Sequence, residues 1–340
     1  MSGVARLLVL TLAFASSSSS FAQDGSGASV AGRIAPSRPD AQAGPTRVSV
    51  GLYVIDISKI SDVDQSMTAD FAVRATWRDP RLASTGDQLR EFPISSVWSP
   101  RLTVINKRRV WKTWPDVVLV DSAGNVQYTQ RFYGTLTARL DLHDFPFDKN
   151  TIMIEFVSAG HTTDEVELVV DESVTGRTPD FSLVDASIGR GEIITGEFYF
   201  APNDVHMPKL TYEFTVHRYA AYYLWKIILP LTIIVFMSWL VFWIDPKQFG
   251  PQVGLAATAV LTLIAYRFLL ASLVPRISYL TRLDVFIMGA TVLVFMGMVE
   301  AVASARIAQS NEKQARRLDR LSRVVFPSAF LVVSYLAFFA

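Results

Sequence analysis

Residues 253–274 read VGLAATAVLTLIAYRFLLASLV, and this stretch decides how the chain is organised. It is long enough to cross a bilayer as a helix, and Arg267 is its only charged residue. Small, hydroxyl and then bulky residues recur along it at steps of three or four, namely Gly254, Thr258, Leu261, Ala265 and Phe268. Such steps keep one helix face toward a bundle axis. The face therefore favours an ion pore with an apolar constriction at Leu261, which can close by dewetting.

The same stripe has a plainer interpretation. Small residues let transmembrane helices approach closely, so the stripe is also compatible with a helix that is only packed in a membrane bundle. The flanking sequence helps to choose between these two interpretations, because it predicts the architecture that contains the helix.

Three other apolar segments lie nearby, at residues 220–244, 285–305 and 324–340. The last has only about 17 residues, which is marginal for a membrane span. Residues 306–323, between the last two segments, are rich in Lys and Arg, and the positive-inside rule predicts a cytoplasmic link there. Because four spans return the chain to the side on which it started, the residues before 220 then lie on the outer side of the membrane.

The N-terminus predicts export independently. Arg6 precedes an apolar run too short to span a bilayer, and Ser20-Phe21-Ala22 has the small-x-small pattern of a cleavage site. We therefore expect a signal peptide at residues 1–22. Residues 23–45, rich in Gly, Ala, Ser and Pro, predict a disordered linker.

Residues 46–217 alternate between apolar and polar side chains. Val48, Val50, Leu52 and Val54 open the region, and a similar run lies at residues 210–216. Further short runs lie between them at residues 71–77, 117–121, 126–132, 151–156, 166–170 and 181–188. Many short alternating strands separated by turn residues predict an all-β sandwich, which the signal peptide and the four spans place in the periplasm.

Composition excludes several classes of function. The chain has 340 residues, a net charge of +1 and no cysteine, so neither nucleic-acid binding nor a disulfide or thiolate site is expected. The sequence contains no metal-ligand cluster, phosphate loop or nucleophile–base motif. We predict no cofactor, no metal site and no enzyme activity.

Specific motifs then follow one another in a recognisable order. They are Trp77-Arg78-Asp79-Pro80-Arg81-Leu82, Trp98-Ser99-Pro100, Leu142-His143-Asp144-Phe145-Pro146-Phe147-Asp148, Arg218-Tyr219-Ala220-Ala221-Tyr222-Tyr223, Pro275-Arg276-Ile277-Ser278-Tyr279 and Phe326-Pro327-Ser328-Ala329-Phe330. In this the chain resembles the pentameric ligand-gated ion channels, the Cys-loop receptor family. Ala138 and Ile152 stand where eukaryotic members have the loop cysteines, which is the bacterial pattern.

The resemblance implies a complete architecture. An immunoglobulin-like sandwich of about ten strands at residues 46–217 would be the ligand-binding domain, and a four-helix pore domain at residues 218–340 would follow it. The chain would join four identical subunits in a homopentamer of the bacterial inner membrane, in contact with membrane lipid. A small-molecule ligand at the subunit interface would gate the flow of inorganic ions. The alternative is a non-conducting periplasmic sensor that signals through its basic link, although a sensor has no need of the pore stripe.

The resemblance also implies where ion selectivity would lie. Gly250, Pro251 and Gln252 occupy the cytoplasmic mouth and carry no charge, whereas cation-selective members typically have a glutamate ring there. The helix N-terminus gives this mouth a modest positive potential, so we expect a weak preference for anions, with cation conduction as the alternative. Arg267 should point away from the pore axis and snorkel near the helix end.

A coupling zone is expected between sandwich and helices. By resemblance it combines residues 59–64 with the coupling residues Phe145, Pro146, Asp148, Arg218, Pro275, Arg276 and Tyr279. Asp148 and Arg218 resemble the family's interfacial ion pair, and such a pair matters most where it is shielded from water. The alternative is that Asp148 only caps a turn.

The ligand site is expected between subunits. Three aromatic residues would come from loop C, Phe198, Tyr199 and Phe200, with His161 on loop B and with Arg74, Thr129 and Arg131 on the opposing subunit. Two arginines and few aromatic residues suit an acidic or zwitterionic ligand. Alternatively, both arginines are solvated surface residues, or His161 senses protons.

Overall fold

The computed structural model describes residues 37–270 and 277–339, so the expected signal peptide and the first part of the expected linker lie outside the described residues. Twelve strands are described: β1 (Thr46–Ser61), β2 (Ser66–Arg78), β3 (Arg90–Pro93), β4 (Leu102–Val104), β5 (Lys107–Lys112), β6 (Val117–Val120), β7 (Asn125–Thr137), β8 (Lys149–Ser158), β9 (Val166–Val170), β10 (Gly176–Arg177), β11 (Ala186–Phe200) and β12 (Val205–Arg218). Four long helices follow, α1 (Ala221–Trp243), α2 (Phe249–Leu270), α3 (Arg282–Ala308) and α4 (Glu312–Phe338).

The strands form two sheets. The first has the order β10-β1-β2-β7-β6-β3, with β5 also paired to β7 and β9 to β1. The second has the order β11-β12-β8-β4. The buried apolar residues of β1 and β12 lie in one continuous core, so the predicted alternation on these two strands is confirmed.

The sandwich has more strands than the sequence predicted. The additional ones are short, and β5 has the sequence KRRVWK, which lacks apolar alternation. The expected run at residues 181–188 becomes strand only from Ala186. Such edge segments are strands because they pair with a neighbour, a property that periodicity does not report.

All four helices are long and apolar enough to cross a membrane. The basic link, however, is mostly helical and not a loop. α4 begins at Glu312, where the Asn311 side chain accepts a hydrogen bond from the Gln314 amide and Glu312 pairs with Arg316 one turn later. These local interactions extend the helix beyond its apolar part, so only residues 309–311 connect α3 to α4.

The last part of the expected linker is also held in place. Arg38 donates to the Gly44 carbonyl at 2.6 Å and to the Thr46 hydroxyl at 3.2 Å. The Thr46 hydroxyl donates in turn to the Pro39 carbonyl. Residues 37–45 therefore form a hydrogen-bonded turn that leads into β1, because a single arginine satisfies several of its backbone groups.

Candidate functional site

The stripe on α2 is uncovered in the subunit. Leu261 is 66% exposed and Phe268 is 78% exposed, and the other three members are exposed as well. The opposite face is buried against the subunit's own helices and consists of Gln252, Ala256, Ala259, Leu263 and Leu270. Because successive residues turn by about 100°, the stripe and the buried face point in opposite directions.

One residue of the expected mouth is misplaced by the sequence prediction. Gly250 and Pro251 are exposed, but Gln252 is completely buried. It lies one turn before Ala256 on the buried face, so its side chain points into the subunit and not toward the mouth. Neither polar atom of the Gln252 amide has a hydrogen-bond partner among the described residues.

An acidic residue near the mouth, Asp245, is neutralised by a residue of α4. Asp245 pairs with Arg316 of α4 at 3.0 Å, whereas Lys247 pairs with Glu312 at 2.7 Å. Lys247 reaches Asp245 only through its backbone amide. The link from α1 to α2 is thus tied to the first turns of α4 by two ion pairs.

Arg218 connects three parts of the junction between sandwich and helices. Its Nε donates to Asp148 at 2.8 Å and its Nη2 donates to Asp62 at 2.6 Å. The guanidinium lies 5.0 Å from the centre of the Phe145 ring, and all three partners surround a largely buried charge. The predicted contact between Asp148 and Arg218 is therefore present, and Asp62 is a second partner that the sequence did not reveal.

The electrostatics of this cluster are asymmetric. Burial raises the pKa of Asp62, and this effect outweighs the lowering by Arg218. Burial also opposes the charge of Arg218, but the hydrogen bonds and charges of Asp148 and Asp62 raise the pKa of its guanidinium. Arg218 thus remains a cation, while burial makes Asp62 easier to protonate than an exposed aspartate. Asp62 comes from the turn after β1, since the strand extends to Ser61 and leaves only part of the expected loop 59–64 as turn.

The loop at residues 142–148 is attached directly to α3. The Arg282 and Leu283 amides donate to the carbonyls of His143 and Phe145, at 3.0 and 3.2 Å. The Arg282 side chain bonds both Asp144 of this loop and the last turn of α4 at Phe338. Sequence analysis missed Arg282, which joins the sandwich to two helices.

The structure describes most, but not all, of the expected coupling residues. Phe145 and Pro146 are buried at the junction, as expected of coupling residues. Phe147, the next residue of the same loop, is exposed, and its ring lies edge-to-face against that of Phe338 with 5.8 Å between the ring centres. Pro275 and Arg276 lie outside the described residues, whereas Tyr279 accepts a hydrogen bond from the Leu142 amide at 3.0 Å.

The two arginines of the expected ligand site already have partners within the subunit. Arg74 pairs with Asp171 at 3.1 Å, and Arg131 forms a two-pronged pair with Asp70 at 2.6 and 2.9 Å. Thr129 lies opposite Arg74 in the register of β2 and β7. Neither arginine is therefore a bare surface cation, and a ligand carboxylate would have to share it with an aspartate.

Loop C is an exposed aromatic tip on the other sheet. Tyr199 and Phe200 are exposed and Phe198 is partly buried, directly before the turn at Asp204. The Tyr199 hydroxyl donates to Asp204 at 3.1 Å, and its ring lies 5.0 Å from that of His206. Since Arg74 and Arg131 belong to the first sheet, a single subunit does not bring the two halves of the expected site together.

His161 is packed beneath the surface of the sandwich. Its ring lies 5.4 Å from that of Trp98, with the Ser99 carbonyl 3.3 Å from Nε2 and the Glu165 carboxylate 3.5 Å from Nδ1. It thus has a polar partner on each side of the ring, and little of it is accessible to a ligand.

Comparison with known proteins identifies the class to which this geometry belongs. The family model of the neurotransmitter-gated ion-channel ligand binding domain matches residues 34–219, and that of the neurotransmitter-gated ion-channel transmembrane region matches residues 227–312. The chain belongs to the neurotransmitter-gated ion-channel family. A proton-gated ion channel of Gloeobacter violaceus is 25% identical to it over 311 residues, which cover 90% of this chain and 86% of that protein.

Membership in this pentameric ion-channel family confirms the predicted fold and topology. The twelve strands are the extracellular ligand-binding domain, and the four helices make the chain a multi-pass membrane protein. The family consists of ion channels and not of enzymes. Within the described part of the chain, no group of three or more His, Asp or Glu residues could hold a metal ion.

Proposed function

We propose that five copies of this chain form a ligand-gated channel whose pore is lined by α2. The observation that carries the proposal is the uncovered stripe, which leaves Leu261 and Phe268 exposed while the opposite face of the same helix is buried. Apolar residues facing a narrow water-filled path can gate it by dewetting. The test is current recording from the purified protein in a planar bilayer, over a screen of carboxylates, amines and pH.

The rival is a sensor of the same fold that does not conduct. Such a sensor would bind the same ligands in a binding assay but would give no current with any of those ligands. Cysteines introduced along the stripe distinguish the two proposals in a second way, since the natural chain contains no cysteine. If α2 lines a pore, a charged thiol reagent should block current from Thr258→Cys but not from Val260→Cys, whose side chain lies off the stripe.

We propose a weak preference for anions. Gly250 and Pro251 carry no charge at the mouth, and Asp245 is paired with Arg316, so the helix N-terminus supplies the remaining positive potential. Pro251→Glu should shift selectivity toward cations, and Pro251→Gln is the neutral control. The measurement is the reversal potential under a salt gradient, and a wild-type value near the cation equilibrium potential would support the cation-conducting alternative.

We propose an acidic or zwitterionic ligand between loop C of one subunit and Arg74, Thr129 and Arg131 of the next. The ion pair of Arg74 with Asp171 permits a sharp test. If Arg74 holds a ligand carboxylate, Arg74→Ala should weaken binding by about 1.5–3 kcal/mol. Asp171→Asn should tighten binding, because it removes the competing carboxylate. Weaker binding in both variants would indicate that the pair is only structural.

Protons are the second candidate ligand. The relative from Gloeobacter violaceus is a proton-gated ion channel, and His161 of this chain lies between a carboxylate and a backbone carbonyl. Activation by external acid without any added ligand, lost in His161→Gln, would favour this candidate over the acidic ligand.

The domain boundaries also form part of the proposal. We infer cleavage after Ala22, a sandwich from residue 46 to 217 and a pore domain from residue 218 onward. N-terminal sequencing of protein purified from membranes tests the cleavage site, since the mature chain should begin at Gln23.

A further inference from the structure

A pair of acidic side chains lies between α3 and α4 near their cytoplasmic ends. Asp319 of α4 is only 1% exposed, and Glu300 of α3 has both carboxyl oxygens buried. The fully buried Ser304 hydroxyl donates to one oxygen of Asp319. The Glu300 carboxyl faces the Asp319 carboxyl and the Ser322 hydroxyl. Two carboxyl groups on neighbouring helices therefore meet inside the helix bundle.

These carboxyl groups lack the partners that buried charges require. In the part of the chain that the structure describes, no hydrogen bond of ordinary geometry reaches the second oxygen of Asp319 or either oxygen of Glu300, although the Ser322 hydroxyl lies near the Glu300 carboxyl. Among the described residues, neither acid forms an ion pair with Lys, Arg or His. An uncompensated buried carboxylate is costly, and two facing each other also repel.

The charged groups around the pair are already engaged. Arg323 donates to the Phe242 carbonyl at 3.0 Å, and its guanidinium stacks on Trp243. Arg316 is held by Asp245 and Glu312. Asp245, on the link from α1 to α2, adds a further negative charge in the vicinity of Asp319. Arg323 therefore acts on Asp319 only as a nearby positive charge, and none of these groups forms an ion pair with Asp319 or Glu300.

We propose that Glu300 and Asp319 together bind one proton, which fastens α3 to α4 on the cytoplasmic side. A single proton makes one carboxyl group a donor and leaves the other as its acceptor, so the unpartnered oxygens become satisfied and one of the two charges is removed. The proton belongs to the pair and not to either residue.

The site gives the channel a dependence on cytoplasmic pH. Removal of the proton leaves two like charges across the contact between α3 and α4, which weakens the packing of α4. The same turns of α4 bind the link that leads into α2, through Arg316 and Asp245. Alkalinisation on the cytoplasmic side should therefore alter gating through this link.

Infrared spectroscopy of the full-length protein in liposomes tests the proton directly. At about pH 7 exposed carboxyl groups are ionised, so the carbonyl stretch of a protonated carboxyl group should report the pair. Glu300→Gln and Asp319→Asn should each remove this band, because the new amide donates to the remaining carboxylate. Asp87→Asn, at an exposed position of the sandwich, is the matched control and should keep it.

The outcomes separate cleanly. Absence of the band in the wild-type protein, or its persistence in both Glu300→Gln and Asp319→Asn, would overturn the proposal. If one variant does not assemble, the other and the loss of the wild-type band at alkaline pH carry the test. Current recordings with varied internal pH rest on the proposed channel function, whereas the infrared band does not. Internal pH dependence should be lost in Glu300→Gln and kept in Asp87→Asn.

Discussion

The imidazole ring of His143 lies parallel to the phenol ring of Tyr279, with 3.9 Å between the ring centres and 8° between the planes. Beside it, the Tyr279 hydroxyl accepts the Leu142 amide at 3.0 Å. One side chain on the link before α3 thus holds the loop at residues 142–148 by a stacked ring and by a hydrogen bond. Tyr279 therefore connects the ligand-binding domain directly to the residues that lead into α3.

Tyr279→Phe should separate the two contacts. It keeps the ring over His143 but removes the acceptor for a backbone amide, which costs about 1 kcal/mol. If the contact favours the open state, the midpoint of the concentration–response curve should rise several-fold, and Tyr279→Ala should raise it further. A double-mutant cycle with His143→Ala measures the stacking energy, and strict additivity would contradict a direct contribution of the stack.

Substitutions at Arg218 should be more harmful than those at either of its partners. Arg218→Ala leaves Asp148 and Asp62 buried without a cation, a loss of about 3–5 kcal/mol, whereas Asp148→Asn leaves Arg218 bonded to Asp62. The charge-swapped double variant should recover only part of the loss, because the swap places a carboxylate at residue 218 and leaves Asp62 without its cation. Pentamer yield and gating measure the effect, and full recovery by the swap would show that Asp62 has no role.

The Asp62 carboxyl makes stability depend on pH in a defined direction. Its pKa in the folded protein is raised above the ordinary value of 3.8, chiefly by burial. Stability from this group is therefore complete below about 3.8 and is lost as the pH rises through the folded-state pKa. Asp62→Asn, which is always neutral, should raise the thermal unfolding midpoint at neutral pH, and its advantage should shrink on acidification. Asp64→Asn, in the same turn but exposed, is the control. An equal advantage at acid and neutral pH would contradict this assignment.

Leu261→Ser should move the channel toward conduction. A serine ring wets the constriction without filling it, so opening should require less ligand. Val260→Ser places the same change one residue earlier, off the stripe, and should leave the curve in place. Normal expression with an unchanged midpoint in Leu261→Ser would count against α2 as the pore helix.

The sequence predicted those features that repeat along one element. Alternation on β1 and β12 determined which side chains enter the core, and the steps from Gly254 to Phe268 determined one face of α2. The sequence prediction failed where the position of a side chain depends on one residue's place around a helix or on a partner far away in the chain. Gln252 was assigned to the mouth by family resemblance, but it lies two residues before Gly254, about 200° around the helix, and so falls on the buried face.

The distant partners could not be found in this way. Asp62 lies 156 positions from Arg218, and any acidic residue on a junction loop is an equally good partner by charge. Asp70 and Asp171 likewise neutralise the two arginines of the expected ligand site only once the strands are registered. Arg282 carries no motif signal, because its role comes from the meeting of a loop and two helix ends.

The uncovered face of α2 also has a genetic consequence. In the proposed channel each subunit contributes one fifth of a shared pore wall, so a defective chain would damage every assembly that it enters. When a normal and a defective copy are made in equal amounts and mix at random, only about one assembly in 32 contains normal chains alone. A harmful substitution at Leu261 should therefore be dominant in a cell that carries both copies, whereas a chain that cannot fold would be merely recessive.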